Sequence, residues 1–330
     1  MREVAEKAGV AMSSVSRVMS GHPDVSPVMR ARVLAAVEEL GYEPDMLAQS
    51  LRRRETLTVG FVVGDISNPL LAEIVMGVES TLHANGYSML LTNSLGDPAL
   101  EAAHIGLLSQ RRVDGLVISV LDETHPETAV RLGELAIPVV VLDRNVAAGI
   151  AVSRVLSDHR QGMEAAAGHM LDLGHRQIAL ILGPPVRPTL ERRAGVEEAF
   201  RSRGLEPAVS VHEGSFAVEH GTEAMNELLD LPEPPTAVIA GGNQLMLGAV
   251  RVIAERGIRL GAELSFIGCD DVAITDLHRP EIAVVRRDNV GMGRIAAELL
   301  LEAMSSGAAP VDVVLPTEFV ARASCGPPKH

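Results

Sequence analysis

The chain has 330 residues, 47% of them apolar, which is enough for a sizeable core in one small and one large domain, or in three lobes. Two cysteines, Cys269 and Cys325, argue against a disulfide scaffold and suit a reducing cytoplasm. No apolar run reaches the roughly 18 residues of a membrane span, and the N-terminus opens into a charged helix rather than a signal peptide. The net charge of −14 is unevenly spread: residues 1–54 hold eight Lys/Arg and seven Asp/Glu, which leaves −15 on residues 55–330. The acidic part reads as a soluble body that phosphates would repel, so any contact with nucleic acid rests on a few well-placed arginines near the start.

In chain order, residues 4–18 read V-A-E-K-A-G-V-A-M-S-S-V-S-R-V. Ala5 is small enough for two helix axes to approach closely, and Gly9 suits a turn that needs a positive φ. Val4, Ala8, Val10, Val15 and Val18 supply one shared core. This spacing predicts helices over 2–8 and 13–19 and fits a helix-turn-helix, whose second helix enters the DNA major groove. An ordinary helical hairpin would use the same residues. Ser26 and Pro27 predict the capped start of a third helix, which Gly41 ends. Residues 45–52, after Pro44, are too short to hold a helix alone in water. The run L-T-V-G-F-V-V from Leu57 reads as a buried parallel strand.

Strand-like and helix-like segments then alternate. Strands are predicted at 57–63, 87–92, 115–119, 138–142, 178–182, 208–212, 236–240, 264–267 and 282–286. Helices are predicted at 69–85, 98–111, 127–135, 160–173, 190–203, 218–230, 243–256 and 289–305. Such alternation predicts an α/β body of parallel sheets with helices on both faces. The two halves each supply about one sheet, with a second lobe beginning near Val155. The body carries no G-x-S-x-G, H-E-x-x-H or Walker loop and no Cys/His cluster at metal spacing, so the expectation is no enzyme, no metal and no cofactor.

From Glu3 to Arg54 the pieces A-G-V, V-S-R-V, V-S before R-x-R-V, E-L-G-Y-x-P and A-x-x-L resemble the headpiece of the lactose-repressor (LacI) family of bacterial transcriptional regulators. The resemblance continues through V-G-x-V-V-x-D-I-S-N-P, R-R-V-D-G-L-V, L-G-H-R-Q-I-A-L-I, P-T-A-V and S-F-I-G-C-D-D, and so covers almost the whole chain. It implies a helix-turn-helix headpiece (1–44), a hinge helix and linker (45–54), and a two-lobed body like periplasmic binding proteins (55–330). Late chain crossings are implied near 285–290 and 315–320. It also implies a cytoplasmic homodimer that binds a palindromic operator in double-stranded DNA, without membrane contact, and answers to a small-molecule effector. The last residues, A-S-C-G-P-P-K-H, lack the leucine heptads of a tetramer-forming tail, which makes a dimer the default. Family members have a Thr or Ser capping helix one; Met1 stands almost at the first helical residue here, an expected cost of about 1 kcal/mol.

By motif match, Met12 and Ser13 fall at the main base-reading positions and Arg17 at a third. Met12 offers apolar contact to a thymine methyl, Ser13 discriminates weakly, and Arg17 can fork onto guanine O6 and N7. Ser14 and Ser16 suit phosphate. In the hinge segment, Ala48 matches the small residue between paired hinge helices and Leu51 the leucine that wedges a central base step. Gln49 stands where the family has Arg, and Arg52, Arg53 and Arg54 compensate or form a solvated linker. The implied effector set is Asp65, Leu70 and Leu71 (with Asn68), Asp143, Arg187, Arg192, Phe216 and Asp270, with Asp271 structural. Leu70 and Leu71 replace common aromatics, and Gly241, Gly242 and Asn243 replace A-N-D. A neutral hexose is disfavoured by this loss of rings and of the Asn–Asp pair. A sugar acid held by Arg192 and Arg187 is the other option. The implied function is a repressor released by a sugar or sugar-acid effector; the alternatives are a corepressor-dependent regulator of the purine-repressor type and, more remotely, a solute-binding protein.

Overall fold

The computed structural model describes residues 1–19, 22–42 and 55–329. They fall into two compact units, Met1–Thr56 and Leu57–His330.

The first unit holds α1 (Arg2–Ala8), α2 (Met12–Met19) and α3 (Pro27–Glu39). Val4, Ala5, Ala8, Val15, Val18, Val33 and Ala36 form its core. Gly9 ends α1 at φ 63° in the left-handed region, where its amide and that of Val10 return to the carbonyls of Glu6 and Ala5. Arg32 of α3 donates to the Ala8 and Gly9 carbonyls and clamps this turn. A side chain at position 9 would meet the Arg32 guanidinium at 2.8 Å. Ser26 caps α3 by accepting from the Met29 amide at 3.3 Å, and Pro27 opens the helix. The start of α1 has no side-chain cap.

The second unit contains two six-stranded sheets. The first is built on β1 (Thr58–Val63), β2 (Ser88–Asn93), β3 (Gly115–Ile118), β4 (Val139–Leu142) and β5 (Ser153–Ser157). The second is built on β6 (Ile178–Leu182), β7 (Val209–Glu213), β8 (Ala237–Ala240), β9 (Ser265–Cys269) and β10 (Ala283–Arg286). Late strands β11 (Asp312–Leu315) and β12 (Glu318–Val320) complete the orders β11-β5-β4-β3-β1-β2 and β12-β10-β9-β8-β6-β7. All pairings are parallel except β10 with β12. The central strands are buried on both faces and packed by Val, Ile, Leu and Ala, as strands covered by helices must be.

The helices are α4 (Pro69–Ala84), α5 (Pro98–Gln110), α6 (Pro126–Gly133), α7 (His159–Asp172), α8 (Arg187–Arg201), α9 (Val218–Leu229), α10 (Asn243–Glu255), α11 (Ala273–Leu277) and α12 (Asn289–Ser306). The chain crosses between the sheets three times: after β5, after β10 and after β11. Val155, near which the second lobe is expected to begin, lies at the centre of β5 in the first sheet, and the crossing follows at Asp158. The crossings after β5 and β11 are tied together. The Asp158 amide donates to the Leu315 carbonyl, and Thr317 Oγ1 donates to the Asp158 carbonyl at 2.6 Å and accepts from the Gly162 amide at 3.0 Å. A Cβ at Gly162 would stand 2.4 Å from that hydroxyl, so the close approach requires glycine.

Candidate ligand cleft and DNA-reading helix

In the first unit, α2 turns Met12 and Ser13 to the surface; Met12 is 54% exposed. Val15 and Val18 hold the opposite face in the core. Arg17 is exposed one turn beyond, and Ser14 and Ser16 are half-buried at the flanks. The start of α2 is therefore an exposed platform on a packed helix, the arrangement that a groove-reading helix needs. Ala48 and Leu51 lie outside the described residues.

The strand orders place the reversal of each sheet between its first and third strands, and open α/β sheets take ligands beyond the carboxyl ends of strands there. Asp143 follows β4 and Asp270 follows β9, each at positive φ (51° and 71°), a backbone cost borne at the ends of two central strands. Arg287, directly after β10, spans them: its Nε donates to Asp270 Oδ1 at 3.0 Å and its Nη1 to Asp143 Oδ2. Arg187, the first residue of α8, donates to Asp143 Oδ1 at 3.2 Å and to the Ser157 carbonyl. The Ser157 amide donates to Asp143 Oδ1 at 3.0 Å and His159 Nε2 to Oδ2 at 2.7 Å.

Burial opposes an ionised Asp143, but His159 and Arg287 outweigh it and hold the carboxyl well below its usual range. Burial pushes His159 down to about 4 in spite of Asp143, so near neutral pH its ring is an uncharged donor. Burial also opposes the Arg287 charge, and Asp270 with Asp143 reverses this and raises its pKa.

Arg192, on the first turns of α8, is 4% exposed; its Nη1 donates to the Gly241 carbonyl at 2.7 Å, and its Nε has no partner among the described residues. The Phe216 ring lies against Gly183, where any Cβ would stand within 2.3 Å of it. The Arg144 guanidinium stands 5.8 Å from the centre of that ring. Glu123, in the loop after β3, accepts from the amides of Asn145 and Arg187 at 2.9 and 3.0 Å, and so reaches from the first-sheet side to the N-terminus of α8. Asn68 caps α4 by accepting from Leu70 N at 3.1 Å and also accepts from Asn243 Nδ2 at 2.6 Å.

The structure thus gathers Asp143, Arg187 and Asp270 into one ion-paired cluster, with Arg192 and Phe216 beside it. It places the 65–71 loop differently. Asp65 is exposed and spends both carboxylate oxygens on Ser67, in a turn. Leu70 is buried in the first lobe's core, with Leu71 packed against it. Asp271 holds Arg322 through two hydrogen bonds of 3.0 and 2.9 Å and accepts from Thr275, a structural role. Arg287, Arg144, Glu123 and His159 are the cleft residues that sequence reasoning missed. The one signal was R-R-D-N at the expected crossing near 285–290.

A second buried carboxyl supports the Glu123 loop from behind. Glu101 of α5, fully buried, accepts from the Leu121 amide at 2.9 Å and from Thr128 Oγ1 at 3.2 Å. Burial raises its pKa from 4.5 to about 7, against the two hydrogen bonds. The folded chain therefore binds this proton more tightly than the unfolded chain. The stability it contributes is full below pH 4.5 and is lost as the pH rises through 7, a change of about 3 kcal/mol. Glu101→Gln, neutral at every pH, should flatten this component, so that variant and parent diverge in the variant's favour from about pH 5 to about pH 8 in denaturant unfolding. His159 has the opposite sign, its contribution being lost as the pH falls from 6.5 to about 4, so the two chains are compared at each pH. Parallel profiles would show that Glu101 does not titrate there.

Comparison with known proteins agrees with this geometry. The bacterial regulatory proteins of the lacI family match residues 1–45, and the periplasmic binding protein-like domain matches residues 167–325. The HTH-type transcriptional repressor PurR of Haemophilus influenzae (strain PittEE) is 32% identical over 305 residues, 92% of this chain and 90% of that protein. Catabolite control protein A of Priestia megaterium is 31% identical over 308 residues, 92% of each. The crystal structure of the Lac repressor bound to ONPG in the repressed state superposes with a TM-score of 0.85 at 28% identity over 98% of both chains. The transcriptional regulator CelR–cellobiose complex gives 0.74 at 32% identity over 98% of both. Among the described residues no helix is long and apolar enough to cross a membrane. With an exposed helix-turn-helix platform, two mostly parallel sheets meeting at a charged cleft and relatives of this likeness, the chain belongs to the lacI family of DNA-binding transcriptional regulators.

Proposed function

We propose that this chain is a cytoplasmic, dimeric repressor that binds a palindromic operator and releases it when a small polar effector, a sugar or sugar acid, enters the cleft. The observation that carries the reading is the bridge of Arg287 between Asp143 and Asp270, a buried ion cluster built where the sheets meet and where a polar ligand would compete for the same groups. Arg187, Arg192, Phe216 and Asn68 with Asn243 complete the proposed effector set. Asp65, Leu70 and Leu71 act through the shape of their loop. On the DNA side, Met12, Ser13 and Arg17 read bases, Ser14 and Ser16 touch phosphate, and Ala48 and Leu51 pair and wedge in the minor groove. The Lac repressor dimer has been solved on operator with the anti-inducer ONPF, and a LacI-family regulator of Enterococcus faecium with bound ribose. The first supports a dimer on DNA, and both support a ligand-binding body.

The test is selection of duplexes from a randomised library by the full chain. A two-fold symmetric site should emerge, with guanine at the symmetric positions that Arg17 reaches. Arg17→Ala should weaken the selected site by about 1–3 kcal/mol and relax those positions. An unchanged preference in the variant would remove Arg17 from base reading, and a library without enrichment would refute the operator.

A further inference from the structure

The cleft holds four arginines, and they are not equivalent. Arg287 and Arg187 are spent on Asp143, Asp270 and Glu191, the last at 2.8 Å. Arg192 has no ion-pair partner among the described residues; it is 96% buried, held by the Gly241 carbonyl alone, with its Nε unpartnered. Arg144 donates from Nη1 to the Asp143 carbonyl at 2.9 Å and lies over the Phe216 ring, and its Nε too is enclosed without a partner. Phe216 in turn packs on Gly183 and stands beside Gly242, next to the carbonyl that Arg192 holds. One guanidinium thus lies over the ring and a second holds the backbone carbonyl beside it, each with an unused, desolvated donor.

An enclosed donor without an acceptor is destabilising, more so when charged, and like charges at close range add to that. Burial is the largest influence lowering the Arg144 pKa; Asp143 and Glu123 oppose it, and Arg192 and Arg287 reinforce it. A neutral hydroxyl supplies one acceptor and no charge. A carboxylate supplies two oxygens and a countercharge, in the planar geometry that guanidinium edges match.

Resting on the regulator reading, the geometry points to an effector that is a small hydroxylated monocarboxylate, whose acid group is gripped between Arg144 and Arg192 over Phe216. Its hydroxyls face Asp143 and Asp270, which accept hydrogen bonds as Arg287 yields them. One negative charge suits a cleft whose other two arginines already face three carboxylates, those of Asp143, Asp270 and Glu191.

The test uses the full chain, with binding read by calorimetry and by thermal shift. The probes are gluconate, galactonate and glucuronate against glucose and galactose, glucose 6-phosphate for a phosphate, and formate against chloride at equal ionic strength for the bare carboxylate. The expected result is that formate stabilises the chain over chloride and that at least one sugar acid binds tenfold or more tighter than its uncharged parent, with that preference lost in Arg144→Gln. Without ligand the variant should melt no lower than the parent and bind the operator duplex equally, which separates ligand loss from misfolding. Arg144→Lys, which keeps charge without the planar edge, should restore only part of the preference. A neutral sugar that binds and releases the duplex, a preference for the phosphate, or identical melting in formate and chloride with no sugar acid preferred would each overturn the carboxylate assignment and leave the regulator standing. Failure to hold any operator duplex would strike the regulator reading itself.

Discussion

Arg287→Ala should lower the stability of the body by about 3–5 kcal/mol, the cost of stranding a buried charge when one partner of an ion pair is removed. Asp270 is 4% exposed, and Arg287 is the only side-chain donor the structure gives its carboxylate among the described residues. Asp143 keeps Arg187, His159 and the Ser157 amide, so the loss falls chiefly on Asp270. The double variant Arg287→Ala/Asp270→Asn should recover much of it, because no unpaired charge then remains at that strand end. Denaturant unfolding of the parent, both single variants and the double variant measures the coupling. Strictly additive losses would show that the bridge contributes nothing as a pair.

The second large effect is functional. Arg192→Ala should abolish the response to effector while operator binding stays at the parent's level. The side chain holds the Gly241 carbonyl in the body, whereas Met12, Ser13 and Arg17 belong to the other unit. In a reporter strain the result is repression that ligand cannot relieve. If the ligand acts as a corepressor, the same change causes loss of repression, and assays with and without ligand separate the two. A variant that still responds at the parent's ligand concentrations would remove Arg192 from the cleft.

Much of the fold was legible because central strands buried on both faces are continuous apolar runs and helices follow them with Pro, Asn or Asp at their starts. Asn68-Pro69, Asp97-Pro98 and Ser26-Pro27 all mark helix starts within a residue. The strands left unpredicted are short and partly polar. Strand β5 carries Arg154, which pairs with Asp312 of β11, and β12 has three residues. The partners of β11 and β12 lie far back in the sequence, so local periodicity carries no trace of those pairings.

In the site, Asp143 and Asp270 were reached through the family resemblance. Arg287 was not, because an arginine doublet after a strand reads as surface. The pleat separates the two: Arg286 points outward to Glu318, and Arg287 turns into the cleft. Arg144 and Glu123 sit in loops whose approach to α8 exists only once both sheets are assembled. Position in a motif also does not say which way a helix's first turn faces, and Leu70, matched to the effector set by motif, faces the core.

The proposed regulator couples a duplex-reading headpiece to a ligand cleft within one chain. Coupling between two sites is reciprocal, so it can be read from either side. The decisive measurement is the affinity of the full chain for its effector, by calorimetry, with and without saturating operator duplex. An inducer should bind about 5–150-fold more weakly on the duplex, matching the factor by which it weakens the duplex. Equal ligand affinity in both conditions would contradict the account.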